Sequence, residues 1–276
     1  MFSRLSDLIE PAVFRLADGF FARWPQPMPS QAQLAACRLV AHRGEFDNCR
    51  VFENTFPAFD AAVQAGLWGI EFDIRWTSDL IPVIHHDAGL IRLYDDPAQI
   101  RDMTFAELRA RHPRVPSLSE MIIRYGGRCH LMIELKEESY PEPDSQGRKL
   151  KQLLAPLTPE KDFHFLSFDP GLFDALNVEP AALFIPIARL NAAALFHRCV
   201  AGGYGGISGH YLFTGRRFLA CCQREGLKTA IGFANSTHSM LREINRRVDW
   251  LFTDHPARMQ RALDRLRQIG CDAGRR

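Results

Sequence analysis

At 276 residues, 46% hydrophobic and 24% charged, the chain has the composition of an ordinary globular protein and enough length for one large core or two small ones. Its 34 Lys and Arg against 32 Asp and Glu leave a net charge of +2 without basic blocks, which excludes nucleic acid as a partner. The seven cysteines, Cys37, Cys49, Cys129, Cys199, Cys221, Cys222 and Cys271, are odd in number and show no CxxC spacing. They exclude a tidy disulfide framework and point to a reducing, cytoplasmic setting.

In chain order, residues 2–24 place Phe2, Leu5, Ile9, Val13, Leu16, Phe20 and Trp24 at steps of three and four, one face of a helix kinked at Pro11. Asp7, Glu10, Arg15 and Asp18 interrupt the stretch, so it does not read as a signal peptide. "PQPMPS" at 25–30 ends it, and residues 1–37 read as an extension ahead of a domain over 38–276. Two uses stay open for the apolar face with Phe20, Phe21 and Trp24. One is peripheral contact of residues 2–24 with a membrane. The other, favoured by the acids mixed with arginines on the polar face, is packing across the bottom or flank of the domain.

From Leu39 onward, eight β-rich runs alternate with helix-forming stretches: "LVAH", "GIEFD", "HLMIEL", "FHFLSF", "LFIPIA", "GGISG", "TAIGFA" and "WLFTD". Strands separated by helices pair in parallel, and eight such units close a TIM (β/α)8 barrel. The open doubly wound alternative lacks a GxGxxG after its first strand. "PVIHHD" at 82–87 follows "GIEFDIRW" at 69–76 too closely for a crossover, so the two form an antiparallel hairpin after the second strand. With Asp79 and Leu80 as the turn, Asp73 faces His86; a slip of one residue substitutes His85.

Alternation along "GIEFDIRW" puts Ile70, Phe72 and Ile74 on one face and Glu71, Asp73 and Arg75 on the other, while Glu134 and Lys136 share a face in "HLMIELK". Carboxylates buried in this way need strong partners: Arg75 and Lys136 as salt bridges, or a hard divalent cation such as Mg2+ or Ca2+. His42 and Arg43 likewise leave the first strand at its C-terminal end, where such barrels carry their sites.

These residues lie in six ordered motifs, "AHRGEFDNCRVFENTFPAFDAAVQAG", "GIEFDIRWTSDLIPVIHHDAGLIR", "VPSLSEMI", "MIELK", "FLSFD" and "VDWLFTDHP". Over about residues 38–262 the chain resembles the glycerophosphodiester phosphodiesterase family. The resemblance implies a TIM barrel that hydrolyses glycerophosphodiesters to glycerol 3-phosphate and an alcohol, using a divalent metal, Mg2+ or Ca2+, and two histidines. It implies His42 and His86 as the catalytic pair, Glu71, Asp73 and Glu134 as metal ligands, and Arg43 and Lys136 as phosphate-contacting cations. Glu53 and Asn54 of "ENT" are implied as supports of the site, with helix capping by Asn54 and Thr55 as the plainer alternative. The chain departs from the pattern at Phe52, where the family has Pro, and at Leu80, where it has Gly. It also has "LYDDPAQI" in place of threonines and "IGFAN" in place of a segment with a tryptophan. Similar barrels act on lysolipids as lysophospholipase D enzymes, and a third reading is a barrel that binds a phosphodiester without cleaving it.

Overall fold

The computed structural model describes residues 16–273, with side chains through residue 269. The expected kink at Pro11 lies outside the described residues. Helix α1 covers residues 16–23 and stops before the proline-rich segment. Helix α2 (Gln31–Ala36) follows, opened by a capping box in which Ser30 and Gln33 satisfy each other's backbone N–H groups.

The sheet strands are β1 (Leu39–His42), β2 (Gly69–Trp76), β3 (Pro82–Ile84), β4 (His130–Leu135), β5 (Phe163–Ser167), β6 (Phe184–Ala188), β7 (Gly206–His210), β8 (Lys228–Gly232) and β9 (Trp250–Thr253). All neighbours except β2 and β3 run parallel, and β1 pairs with both β9 and β2, so eight strands close a barrel. The surrounding helices include α3 (Phe56–Gln64), α4 (Ile91–Tyr94), α5 (Phe105–Arg111), α6 (Leu118–Tyr125), α7 (Pro143–Leu154), α8 (Gly171–Leu176), α9 (Ala192–Gly202), α10 (Arg216–Arg224), α11 (Thr237–Asn245) and α12 (Pro256–Ala273). All eight β-rich runs of the sequence are barrel strands.

Period-two alternation divides the core. Leu39, Ala41, Ile70, Phe72, Ile74, Ile133 and Phe165 join the cluster shared with the helices. Val40, Met132, Leu166, Ile185, Ala230 and Phe252 form a second cluster inside the barrel, with Trp250 below them. The barrel centre is therefore filled with side chains, and inward-facing groups one step further along the strands emerge at its C-terminal mouth.

The hairpin register differs from expectation by one residue. Pairing runs Ile74 to Ile84 and Trp76 to Pro82, which sets Asp73 opposite His85. The cause is the loop. Thr77 N–H donates to the Ile81 carbonyl (3.2 Å), leaving three loop residues, Ser78, Asp79 and Leu80, instead of two. Such loops place their last residue in the left-handed region, and Leu80 has φ +55°, a conformation that favours glycine.

Helix α1 docks with a face other than its apolar stripe. Phe21 packs edge-on against Tyr211 (5.5 Å between centroids) beneath the Arg242 guanidinium, and Asp18 accepts a hydrogen bond from the Tyr211 hydroxyl (2.5 Å). Tyr211 follows the end of β7, so α1 lies against the mouth end of the barrel, not its bottom, and Leu16, Phe20 and Trp24 stay exposed. Among the described residues no helix is long and apolar enough to cross a membrane, and the six described cysteines are free.

Candidate active site

Inward positions of β2 and β4 bring Glu71, Asp73 and Glu134 together, each offering an oxygen within 4.8 Å of the others. Parallel register explains the meeting: Asp73 lies directly opposite Glu134, and Glu71 opposite His42 of β1. All three carboxylates are buried. Lys136 Nζ binds Glu134 (2.6 Å) and Asp73 (3.1 Å), and Arg43 Nε lies 3.3 Å from Asp73. Arg75 turns away to Glu138 (2.8 Å) and the His86 carbonyl.

The three carboxylates are not electrostatically equivalent. Burial opposes the ionisation of Asp73, yet Lys136 and Arg43 hold it well below its usual range. Burial, with Asp73 and Glu134 as neighbours, pushes Glu71 well above its usual range, and burial raises Glu134. Glu71 receives the Arg43 backbone N–H at 3.2 Å and faces His42 Nε2 across 3.9 Å, a weak set of partners for a buried acid. Converging, buried oxygen donors, with Glu71 under-compensated among them, fit a hard divalent cation.

Two histidines flank this cluster, and each has its Nδ1 anchored by a carboxylate. His42 Nδ1 lies 2.7 Å from Asp254 Oδ1, and His86 Nδ1 lies 2.7 Å from Asp87 Oδ1. An ionised carboxylate only accepts, so each pair holds a proton on Nδ1 and leaves Nε2 free for chemistry. Burial, reinforced by Arg43, lowers His42 below its ordinary value; burial also lowers His86, although the Asp87 hydrogen bond opposes it. Ion pairs tie the His86 partner Asp87 through Arg92 and Glu53 to Arg43, which lies against Asp73 of the cluster. His85, although opposite Asp73, is buried with Nε2 3.2 Å from the Gly89 carbonyl.

The "ENT" side chains support the site and do not cap α3. Glu53 binds Arg43 (3.1 Å) and Arg92 (2.6 Å), and Arg92 continues to Asp87 (2.5 Å), so one chain of ion pairs joins both histidine-bearing segments. Asn54 Nδ2 donates to Asp73 Oδ2 (2.8 Å), while Thr55 sits at the N-cap with its hydroxyl donating to the Phe52 carbonyl (2.6 Å). Arg43, Asn54 and Gly44 all have positive φ, and a Cβ on Gly44 would lie 2.7 Å from the Ala58 backbone. This tight loop lets α3 approach the site.

Sequence reasoning missed Asp254, Asn235, Asp87 and Arg92. Asp254 and Asp87 stand in the quoted "TDHP" and "HHD", and Arg92 ends "GLIR", but no local spacing ties Asp254 to a histidine 212 positions away. Asn235, in "IGFAN", donates from Nδ2 to Asp254 Oδ2 (2.8 Å) and accepts the Asp254 backbone N–H on Oδ1 (2.9 Å). Phe233 of the same segment packs against the His42 ring, 4.5 Å between centroids.

Fold and site define a (β/α)8 barrel whose mouth carries two histidine–carboxylate pairs around a cluster able to hold a divalent cation. The chain belongs to the glycerophosphoryl diester phosphodiesterase family, whose model matches residues 42–258. It is 31% identical over 116 residues to mouse glycerophosphodiester phosphodiesterase 1, an alignment that takes in 35% of this chain and 34% of that protein. The chain thus matches about a third of the length of that mammalian relative. It is 25% identical over 239 residues to the glycerophosphodiester phosphodiesterase of Caldanaerobacter subterraneus, covering 79% and 94% of the two chains. Among solved structures, the Thermotoga maritima glycerophosphodiester phosphodiesterase superposes with a TM-score of 0.68 at 22% identity, covering 81% of this chain and 96% of that one. An Oleispira antarctica phosphodiesterase, solved with its product sn-glycerol-3-phosphate, gives 0.68 at 24% identity over 82% and 96%. At these identities the superpositions speak for the shared barrel.

Proposed function

We propose that this chain hydrolyses glycerophosphodiesters to glycerol 3-phosphate and an alcohol, with His42 and His86 moving the protons. The observation that carries this reading is the pair of Nδ1-anchored imidazoles at one buried carboxylate cluster, His42 facing Glu71 with its Nε2 and His86 tied in through Asp87, Arg92, Glu53 and Arg43. Family membership supports the substrate class, as does the product bound to the Oleispira antarctica relative. A barrel that merely bound a phosphodiester would have no use for two histidines each oriented by a carboxylate.

Glu71, Asp73 and Glu134 would hold a divalent cation, Mg2+ or Ca2+. When bound, such an ion supplies Lewis-acid neutralisation of the phosphate charge. Arg43 and Lys136 bring further positive charge to the nonbridging oxygens, which otherwise repel a nucleophile. One imidazole Nε2 takes the proton of the substrate's own glycerol hydroxyl as that oxygen attacks phosphorus, and the other, protonated, gives its proton to the departing alcohol oxygen. A cyclic phosphate results. The histidine that has just lost its proton then takes one from water, and its partner returns a proton to the opening ring oxygen, which restores both rings to their starting states.

The test is glycerol 3-phosphate release from glycerophosphocholine, with and without a chelator. His42→Ala and His86→Ala should each lower turnover by about 10²-fold or more, the scale of general acid–base catalysis. A folded variant of either kind that turns over like the parent overturns the assignment. Cyclic phosphate should appear transiently by phosphorus NMR.

A further inference from the structure

We propose that the mouth end of this barrel docks on an anionic lipid surface through the exposed side of α1. Leu16 and Phe20 of the described part of that helix and Trp24, the residue just after it, are 76%, 56% and 56% exposed at a spacing of four. Phe20 and Trp24 stack on each other at 5.3 Å, outside the protein. Single exposed apolar side chains are ordinary, but a stripe with a stacked aromatic pair is not.

Docking of α1 to the barrel fixes which way this stripe faces. Phe21 and Asp18 are spent on Tyr211 and Arg242, so the one acid of residues 16–23 points inward. The one cation, Arg23, is exposed with the stripe. In the sequence, the same spacing continues back through Val13, Ile9, Leu5 and Phe2. Tyr211 directly follows β7, and its N–H donates to the carbonyl of Gly232, the last residue of β8 (2.8 Å), so the stripe begins beside the mouth.

Other exposed apolar side chains share that end of the barrel. Leu190, 85% exposed, follows β6, and Ile91, 58% exposed, opens α4 beside the Arg92–Glu53 pair. Exposed arginines stand among them: Arg189 beside Leu190, paired with Glu137, and Arg216 and Arg217 at the start of α10. A second protein would need one contiguous apolar patch. Separated apolar groups around a rim, interleaved with arginines, match a lipid interface, which takes apolar side chains below the headgroups and cations among them. The site then opens toward diesters carried in the lipid.

The full chain should sediment with vesicles of equal parts phosphatidylcholine and phosphatidylglycerol, and less with pure phosphatidylcholine. Combining Phe20→Ser with Trp24→Ser should cut partitioning by about tenfold or more. Trp24 is the exposed one of the four tryptophans, so the parent's fluorescence should shift to the blue on vesicle addition. A parent that stays in the supernatant, a double variant that sediments like the parent, or equal binding to both vesicle types would each overturn the proposal. Vesicle binding is read without turnover. Failure to cleave soluble glycerophosphocholine would therefore count against the proposed function alone, while the double variant should keep the parent's rate on that substrate.

Discussion

Asp254→Asn tests the His42 assignment more sharply than removal of the histidine does. Asn235 has a fixed orientation, because its Oδ1 already accepts the Asp254 backbone N–H and the Thr253 hydroxyl. Its Nδ2 therefore demands an acceptor on the Oδ2 side of residue 254. In the variant, the new amide oxygen must take that place, which turns the new NH2 group toward His42 Nδ1. A donor there forces the ring proton onto Nε2, so the lone pair needed for catalysis points the wrong way. Because base catalysis contributes about 10²–10⁴-fold, kcat/KM for glycerophosphocholine should fall by that range, about 3–5 kcal/mol of barrier. Asp254→Ala removes the orienting charge but imposes no tautomer, so it should be no more damaging than the closer isostere. Circular dichroism would confirm that both variants fold. Wild-type turnover in Asp254→Asn, or an Asp254→Ala variant far worse than it, would refute the tautomer reasoning.

Three further outcomes follow from the same geometry. Burial and two carboxylate neighbours make ionised Glu71 costly in the metal-free protein, so Glu71→Gln should abolish chelator-sensitive turnover. The same change should raise the metal-free melting midpoint by about 2–4 °C, the shift about 1 kcal/mol makes in a domain of this class; a lower midpoint would contradict it. Gly44→Ala puts a methyl group 2.7 Å from Ala58 at φ +86°, and urea unfolding should show a loss of roughly 2–4 kcal/mol. Although burial opposes its ionisation, Glu53 is held down at about 2 by Arg92 and Arg43. Its folded value lies below the unfolded 4.5, so its contribution, at most about 3 kcal/mol, is complete above that pH and lost as pH falls toward 2. The stability gap between parent and Glu53→Gln should therefore close across that window, and a gap that stays constant from neutral pH to about pH 3 would sink the assignment.

Local patterning alone determined the barrel strands and much of the site. Period-two alternation is a property of each strand, so Glu71 and Asp73 had to share the face opposite Ile70, Phe72 and Ile74, and Glu134 had to share one with Lys136. The hairpin was legible for the same reason, but its register was not. That depended on Leu80 adopting a left-handed conformation, which lengthened the loop by one residue and set His85, not His86, opposite Asp73. Periodicity likewise found the apolar stripe at Leu16, Phe20 and Trp24 without revealing that Phe21 and Asp18 would do the docking. A moment says which face of a helix is apolar; only the surface beneath it decides which face is buried. The His42–Asp254 pair was beyond any local pattern. It exists because β9 closes the barrel against β1, and that contact joins the two ends of the domain only when all eight strands are in place.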